Sequence, residues 1–450
     1  MNDQLTSMRI FLKPGLFIVS LLLSLLIYGW LDGQLHLLFL VNCLSLVAFS
    51  ISLIYYMRKS TLANYERTLF IFSVFYGAIF IILYKFISFH YNEDYYVFSN
   101  VDAALYQRMG RLLSNEPINL QLRYLETNWG YDDFGAFLLS SLLYTIWDSP
   151  FNFAVFYLFI GAFTTVCIYR IGKQMMPPKY AFLAALSFSI SSFTLVFQST
   201  YLKESLMIFL IVYCYERYYK TIESKSFWPV IGVGISCVLL IFFRPALIIF
   251  ILLSFFLPRI LAKRISAKQL FVILALIIGI FAFGAFIESQ TTRYRLTDDV
   301  EEVRQDMIRG GLALTYTVNT LAGMFGPIPS ILPTKPLVSL YSPGLIFRII
   351  TGFLFWIGVI WIFKFRVKKA IPIAAYTVLE IFVLVWILEA LELRKSLPHF
   401  PFIYIIAFWA LFRFDSVILK VKTRAIISRL NYLYLLSMVL VILLWNARYS

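Results

Sequence analysis

Apolar residues along this 450-residue chain fall in long runs, not in alternation with polar ones. Runs of about 17–22 residues with few or no charges have the length that crosses a bilayer core as a helix. Alternating strands of ~10 residues are absent, and backbone groups in lipid have to be satisfied within each segment. The pattern therefore predicts an all-α, polytopic transmembrane helix bundle. The expected spans are 15–31, 36–57, 68–89, 151–169, 180–198, 205–219, 227–243, 246–262, 270–287, 344–363, 370–391, 400–413 and 430–446.

Residues 134–147 are apolar as well, but about 14 residues is short for a span. They read as a helix lying at the interface, ended by a turn at Asp148, Ser149 and Pro150. Trp129, Tyr131, Tyr144 and Trp147 are suited to the headgroup region there. The chain then divides into a three-span segment (1–89), a first long loop (90–150), a central bundle (151–287), a second long loop (288–343) and a C-terminal bundle (344–450).

Charge gives the bundle a direction. With the N-terminus in the cytoplasm, the inward loops hold roughly 24 basic and about 5 acidic residues, and the outward side roughly 15 basic and 18 acidic. Both long loops are then extracytoplasmic, as is the C-terminus, in a multi-pass protein of the inner (cytoplasmic) membrane. Residues 1–13 are polar and the first apolar run lacks a small-residue cleavage site, so it reads as a retained span. In the second loop, residues 298–321 pass from charged to apolar, as in a helix settling onto a membrane surface, and Phe325-Gly326-Pro327-Ile328-Pro329 reads as a rigid turn.

Composition agrees. The chain is 61% hydrophobic and 14% charged, with a mean hydropathy of +0.81, too little polar surface to meet water on all sides. Its net charge of +15 sits in short loops and not in a basic stripe with interleaved aromatics, which argues against nucleic acid as a partner. Cys43, Cys167, Cys214 and Cys237 all lie in apolar runs, so neither a disulfide framework nor a cysteine metal site is expected.

Long loops in an otherwise economical membrane protein usually carry its function. The first holds Glu93-Asp94, Asp102 and Asp132-Asp133. A carboxylate at the outer end of a span can act as general base on a sugar hydroxyl, or hold a divalent cation against a phosphate. Glu93 and Asp94 are the candidate metal ligands, and magnesium or manganese is the cofactor considered. A departing phosphate needs positive charge, and Lys203, Arg244, Arg293, Arg295, Arg304 and Arg309 are available, arginine being suited by its planar fork. Glu204 beside Lys203 is a second acidic candidate. Arg394, Lys395 and His399 precede a late span, and Glu380 is an ionisable group deep within one.

Asp102-Ala103-Ala104-Leu105-Tyr106, Gly110-Arg111-Leu112-Leu113 and Trp129-Gly130-Tyr131 resemble the first extracytoplasmic loop of GT-C superfamily glycosyltransferases. Tyr201-Leu202-Lys203-Glu204-Ser205, Arg244-Pro245 and Phe325-Gly326-Pro327 resemble bacterial members found in surface-polysaccharide assembly. The resemblance implies sugar transfer from a polyprenyl-phosphate-linked donor to a glycan or glycolipid acceptor at the outer face, with membrane lipids as further partners. It implies Asp102 as catalytic carboxylate, with Asp94 second, and basic residues such as Arg394, Lys395 and His399 near the lipid phosphate.

Two other classes remain open on the sequence. An oligosaccharide repeat-unit polymerase, of the O-antigen or capsule type, would share the carrier but lean on arginines in both long loops. A flippase or transporter of lipid-linked oligosaccharide would need polar groups along a central path, for which Glu380 is the main candidate.

Overall fold

The computed structural model describes residues 64–92, 101–128, 131–149, 151–200, 202–224, 226–261, 312–329, 336–387, 393–415 and 421–447. Among these the regular structure is entirely helical. In chain order the helices are α1 (Tyr65–Asn92), α2 (Val101–Leu113), α3 (Ile118–Asn128), α4 (Tyr131–Ile146), α5 (Asn152–Lys173), α6 (Pro178–Ile190), α7 (Ser192–Ser199) and α8 (Glu204–Ser224). They continue with α9 (Trp228–Ile241), α10 (Ala246–Leu261), α11 (Leu312–Phe325), α12 (Pro336–Lys364), α13 (Ile371–Trp386), a 3-10 segment (Leu393–His399), α14 (Phe400–Asp415) and α15 (Val421–Ala447).

Five of the described helical segments are long and apolar enough to cross a membrane: Tyr65–Phe86, Asn152–Lys173, Tyr341–Lys364, Arg394–Phe414 and Thr423–Leu444. A sixth is the pair α6 and α7, bent by 52° at Ser191. Helices also stand at the expected spans 205–219, 227–243, 246–262 and 370–391, with different bounds. The first is part of α8, whose ends carry Glu204, Glu216, Arg217, Lys220 and Glu223. The other three are α9, α10 and α13, of only 14, 16 and 16 residues. The expected spans 15–31, 36–57 and 270–287 lie outside the described residues.

Residues 134–147 are helical, in α4, which packs on the amphipathic α2 and α3. Ala103, Tyr106, Gly110 and Leu113 form the buried face of α2, recurring at helical spacing. At Gly110 the two helices touch: a Cβ built there would lie 2.5 Å from Ser140 Cβ. Ser140 Oγ also donates to the Tyr106 carbonyl at 2.8 Å.

The α6–α7 break has a local cause. Ser191 leaves helical geometry, with ψ at 113°, and the hydroxyl of Thr194 donates to the carbonyls of Phe188 and Ser191, at 2.9 and 2.8 Å. Polar side chains thus satisfy backbone groups that a bend inside an apolar bundle sets free. α12 crosses at the same point, where Gly344 permits it: a Cβ there would stand 2.3 Å from the Phe193 backbone nitrogen.

The 3-10 segment and α14 form the centre: 83% of the most apolar part of Arg394–Phe414 is buried, against 17% of that of Thr423–Leu444 in α15. α15 leaves Leu433, Leu436, Leu440 and Leu444 uncovered, and α1 leaves Ile71, Phe75, Ile79, Ile82 and Phe86. These are apolar stripes on the outside of helices with apolar interiors, the arrangement of a bundle surrounded by lipid.

Charged side chains collect at two poles. At one, Arg170 pairs with Glu66 at 2.7 Å, Lys220 with buried Glu216 at 3.1 Å, and Lys369 reaches Gln174 at 3.3 Å. At the other ends of α8 and α13 lie Lys203, Glu204, Glu380 and the 3-10 segment, which packs on both helices.

Candidate functional site

The second pole is the candidate site. Asp102 lies in the first turn of α2, where a carboxylate is favoured by the helix dipole. Its partner is Arg394, whose guanidinium makes an ion pair and hydrogen bond to the Asp102 carboxylate across 292 positions of sequence. The two side chains are 37% and 25% exposed, Asp102 the more so, and the pair therefore stands at the mouth of the pole and not within the core.

The 3-10 segment delivers three of the predicted residues together. Arg394 and Lys395 are half-buried at its start, and His399 ends it with 1% exposure. His399 Nδ1 faces Glu380 Oε1 at 3.5 Å, and Glu380 is itself buried. That distance is an electrostatic contact more than a hydrogen bond. Tyr376, one turn back on α13, faces the same carboxylate and lies within electrostatic reach of Arg244. The rings of Tyr376, Tyr215 and Phe402 pack mutually behind it, with centroids 4.8–5.7 Å apart.

Lys203 and Glu204 are both buried where α8 begins. Glu204 occupies the first turn of α8 and lies within electrostatic reach of the fully buried Tyr157 on α5. Arg244 follows the end of α9, where the Phe242 carbonyl accepts a hydrogen bond from the Gly135 N–H of α4 at 2.9 Å. That bond ties the α2–α4 unit to the Arg244 turn.

Of the residues singled out in the sequence, Asp102 and Arg394 thus meet directly, as do His399 and Glu380. Lys395 shares their segment, and Lys203, Glu204 and Arg244 belong to the same pole. Asp94, Glu93, Arg293, Arg295, Arg304 and Arg309 lie outside the described residues. Among the described residues no group of three or more histidine, cysteine, aspartate or glutamate side chains converges as a metal site would.

Three buried charges escape the sequence reading. Lys85, near the end of α1, is 2% exposed, Glu216 on α8 is 3% exposed, and Arg348, inside α12, is 0% exposed. Arg348 does leave a signal: a single charge inside the apolar stretch 344–363 is expensive and by default functional.

The polar site sets a carboxylate and a guanidinium at its mouth, with a buried imidazole at the end of the same 3-10 segment, backed by an apolar bundle. These features define the class, an all-helical protein with at least five helices long and apolar enough to cross a membrane and a charged site at one pole. No protein-family model matches this chain, and no curated protein matches it.

Proposed function

We propose that the protein is an integral-membrane glycosyltransferase that transfers sugar from a polyprenyl-phosphate-linked donor at the extracytoplasmic face, in surface polysaccharide or glycolipid assembly. The observation that carries this reading is the Asp102–Arg394 pair at the mouth of the pole. It joins a carboxylate suited to accept a proton with a guanidinium suited to hold a phosphate. The reading includes the full topology of about 13 spans with the charged pole outward.

Asp102 takes the proton of the acceptor hydroxyl while that oxygen forms its bond to the anomeric carbon. The bond from the anomeric carbon to the phosphate oxygen breaks, and the lipid phosphate leaves with the electron pair. Donor binding offers Arg394 a phosphate in place of Asp102, so arrival of the donor frees the carboxylate for its role. Lys203 and Arg244 add positive charge where the phosphate departs, and His399, set against Glu380, orders the wall beside it.

Sugar transfer from labelled polyprenyl-phosphate-linked donors by the purified protein tests this, with products resolved by size. Single-sugar products, and a fall of about 10²-fold or more with Asp102→Asn, are expected. A second reading, repeat-unit polymerisation, would lean on the arginines of the second long loop, Arg293, Arg295, Arg304 and Arg309. A ladder of products from preassembled repeat units, unchanged in Asp102→Asn, would replace the first reading with the second.

A further inference from the structure

Arg348 lies about 10 Å along α12 from Tyr341, where its membrane-crossing stretch begins. It is fully buried. Its Nη2 donates to the Met324 carbonyl at 2.9 Å, and its guanidinium lies 5.5 Å from the centroid of Phe355. Its Nε and Nη1 have no protein acceptor. Among the described residues no carboxylate pairs with it, and its electrostatic neighbours are the hydroxyls of Tyr404 and Tyr434. A guanidinium does not shed its proton in a protein, and a buried charge without a counter-charge is strongly disfavoured.

The surroundings supply more donors and not a balancing anion. Tyr404 on α14 faces Ser191 at the α6–α7 break, and neither hydroxyl makes a full hydrogen bond to protein. Gly344, one turn before Arg348, brings α12 against that break, where a Cβ would lie 2.9 Å from Ser191 Oγ. Gly352, one turn after it, lets the Tyr434 hydroxyl and the guanidinium approach the α12 backbone closely: a Cβ there would lie 2.6 Å from the hydroxyl and 3.3 Å from Nη1. Tyr434 is already committed to the Ile349 carbonyl, at 2.7 Å.

We infer that Arg348, with Tyr404 and Ser191, forms an internal binding site for a phosphoryl group at the α6–α7 break. A guanidinium and two hydroxyls brought from three elements suit an oxyanion with several acceptor oxygens, and a charged acceptor shortens and strengthens each bond. The group is carried either on a lipid or as free phosphate. The site is built from the buried charge and these two hydroxyls and does not require that the protein transfer sugars.

Binding is read on the full-length protein in detergent, without turnover, as the rise in thermal midpoint with ligand. The probes are a long-chain polyprenyl monophosphate, the corresponding alcohol, inorganic phosphate and chloride. The monophosphate is expected to stabilise the wild type and the alcohol not to. Arg348→Met is expected to weaken binding by about tenfold or more, and Tyr404→Phe by about threefold or more. Stabilisation by inorganic phosphate as well assigns a free phosphate, and by the lipid monophosphate alone a lipid one. The inference is overturned if no phosphoryl compound stabilises the wild type, if chloride or the alcohol does so equally, or if Arg348→Met binds as wild type does. Should Arg348→Met fail to fold, Tyr404→Phe and Ser191→Ala carry the test, and unchanged affinity in both overturns it.

Discussion

Asp102 and Arg394 are each recognisable in the sequence as a polar group just beyond an apolar run, but their union is not. No local rule links positions 292 apart; only the packing of the 3-10 segment on α8 and α13 brings them to one mouth. The same holds for Glu380 and His399, each of which stands out as unusual while the contact between them does not. Arg348 is the opposite case, legible as a lone charge in an apolar stretch but resolved as unpaired only once its neighbours are known. Because a planar fork can serve Asp102 and a phosphate in turn while an ammonium is a point charge, Arg394→Lys is expected to keep the fold. It should lower transfer by about tenfold or more, measured as initial rate at saturating acceptor, with an unchanged thermal midpoint. A rate equal to wild type would show that the arginine is only an anchor for α2.

At the scale of elements, uninterrupted apolar runs announce the helices but not their ends or bends. The run 370–391 reads as a single span, yet α13 stops at Trp386, and the 3-10 segment begins seven residues later at Leu393. The bend at Ser191 falls in a stretch whose serines at 187, 189, 191 and 192 look merely tolerated in an apolar run. Their use becomes apparent when α12 crosses there. Gly110 shows how an element depends on one small residue. Its Cβ would meet the Ser140 backbone carbon at 3.0 Å and the hydroxyl closer still, so Gly110→Ala forces α2 away from α4. Overpacking of this kind costs about 1–3 kcal/mol. Since α2 carries Asp102, Gly110→Ala is expected to lower both the thermal midpoint and transfer, whereas Gly234→Ala, with open space around it, should lower neither.

For the whole molecule, hydropathy is enough to assign the helical class, and charge asymmetry to propose an orientation. The helix ends show why loops far apart in sequence share a side. Glu66, Arg170, Glu216 and Lys220 from α1, α5 and α8 form one ionic cluster, at the end of α8 away from Lys203 and Glu204. Orientation is open to a direct test with a membrane-impermeant thiol reagent on intact cells. A cysteine at exposed Asn115, between α2 and α3, is expected to react from outside. One at exposed Glu223, at the C-terminal end of α8, should react only after permeabilisation. The reverse result would turn the protein over and remove the extracytoplasmic site.

The 3-10 segment runs without interruption into α14, and together they make the most buried of the membrane-length stretches described, while Asp102 rides on a small helical unit that leans on α5 and the end of α9. The two members of the ion pair are therefore carried by parts of unequal burial. Arg394 is attached to the packed interior, and Asp102 to the outer unit, the more exposed side of the pair. A bulky, lipid-tethered molecule arriving sideways from the bilayer would meet this half-exposed ionic contact before it met the packed interior.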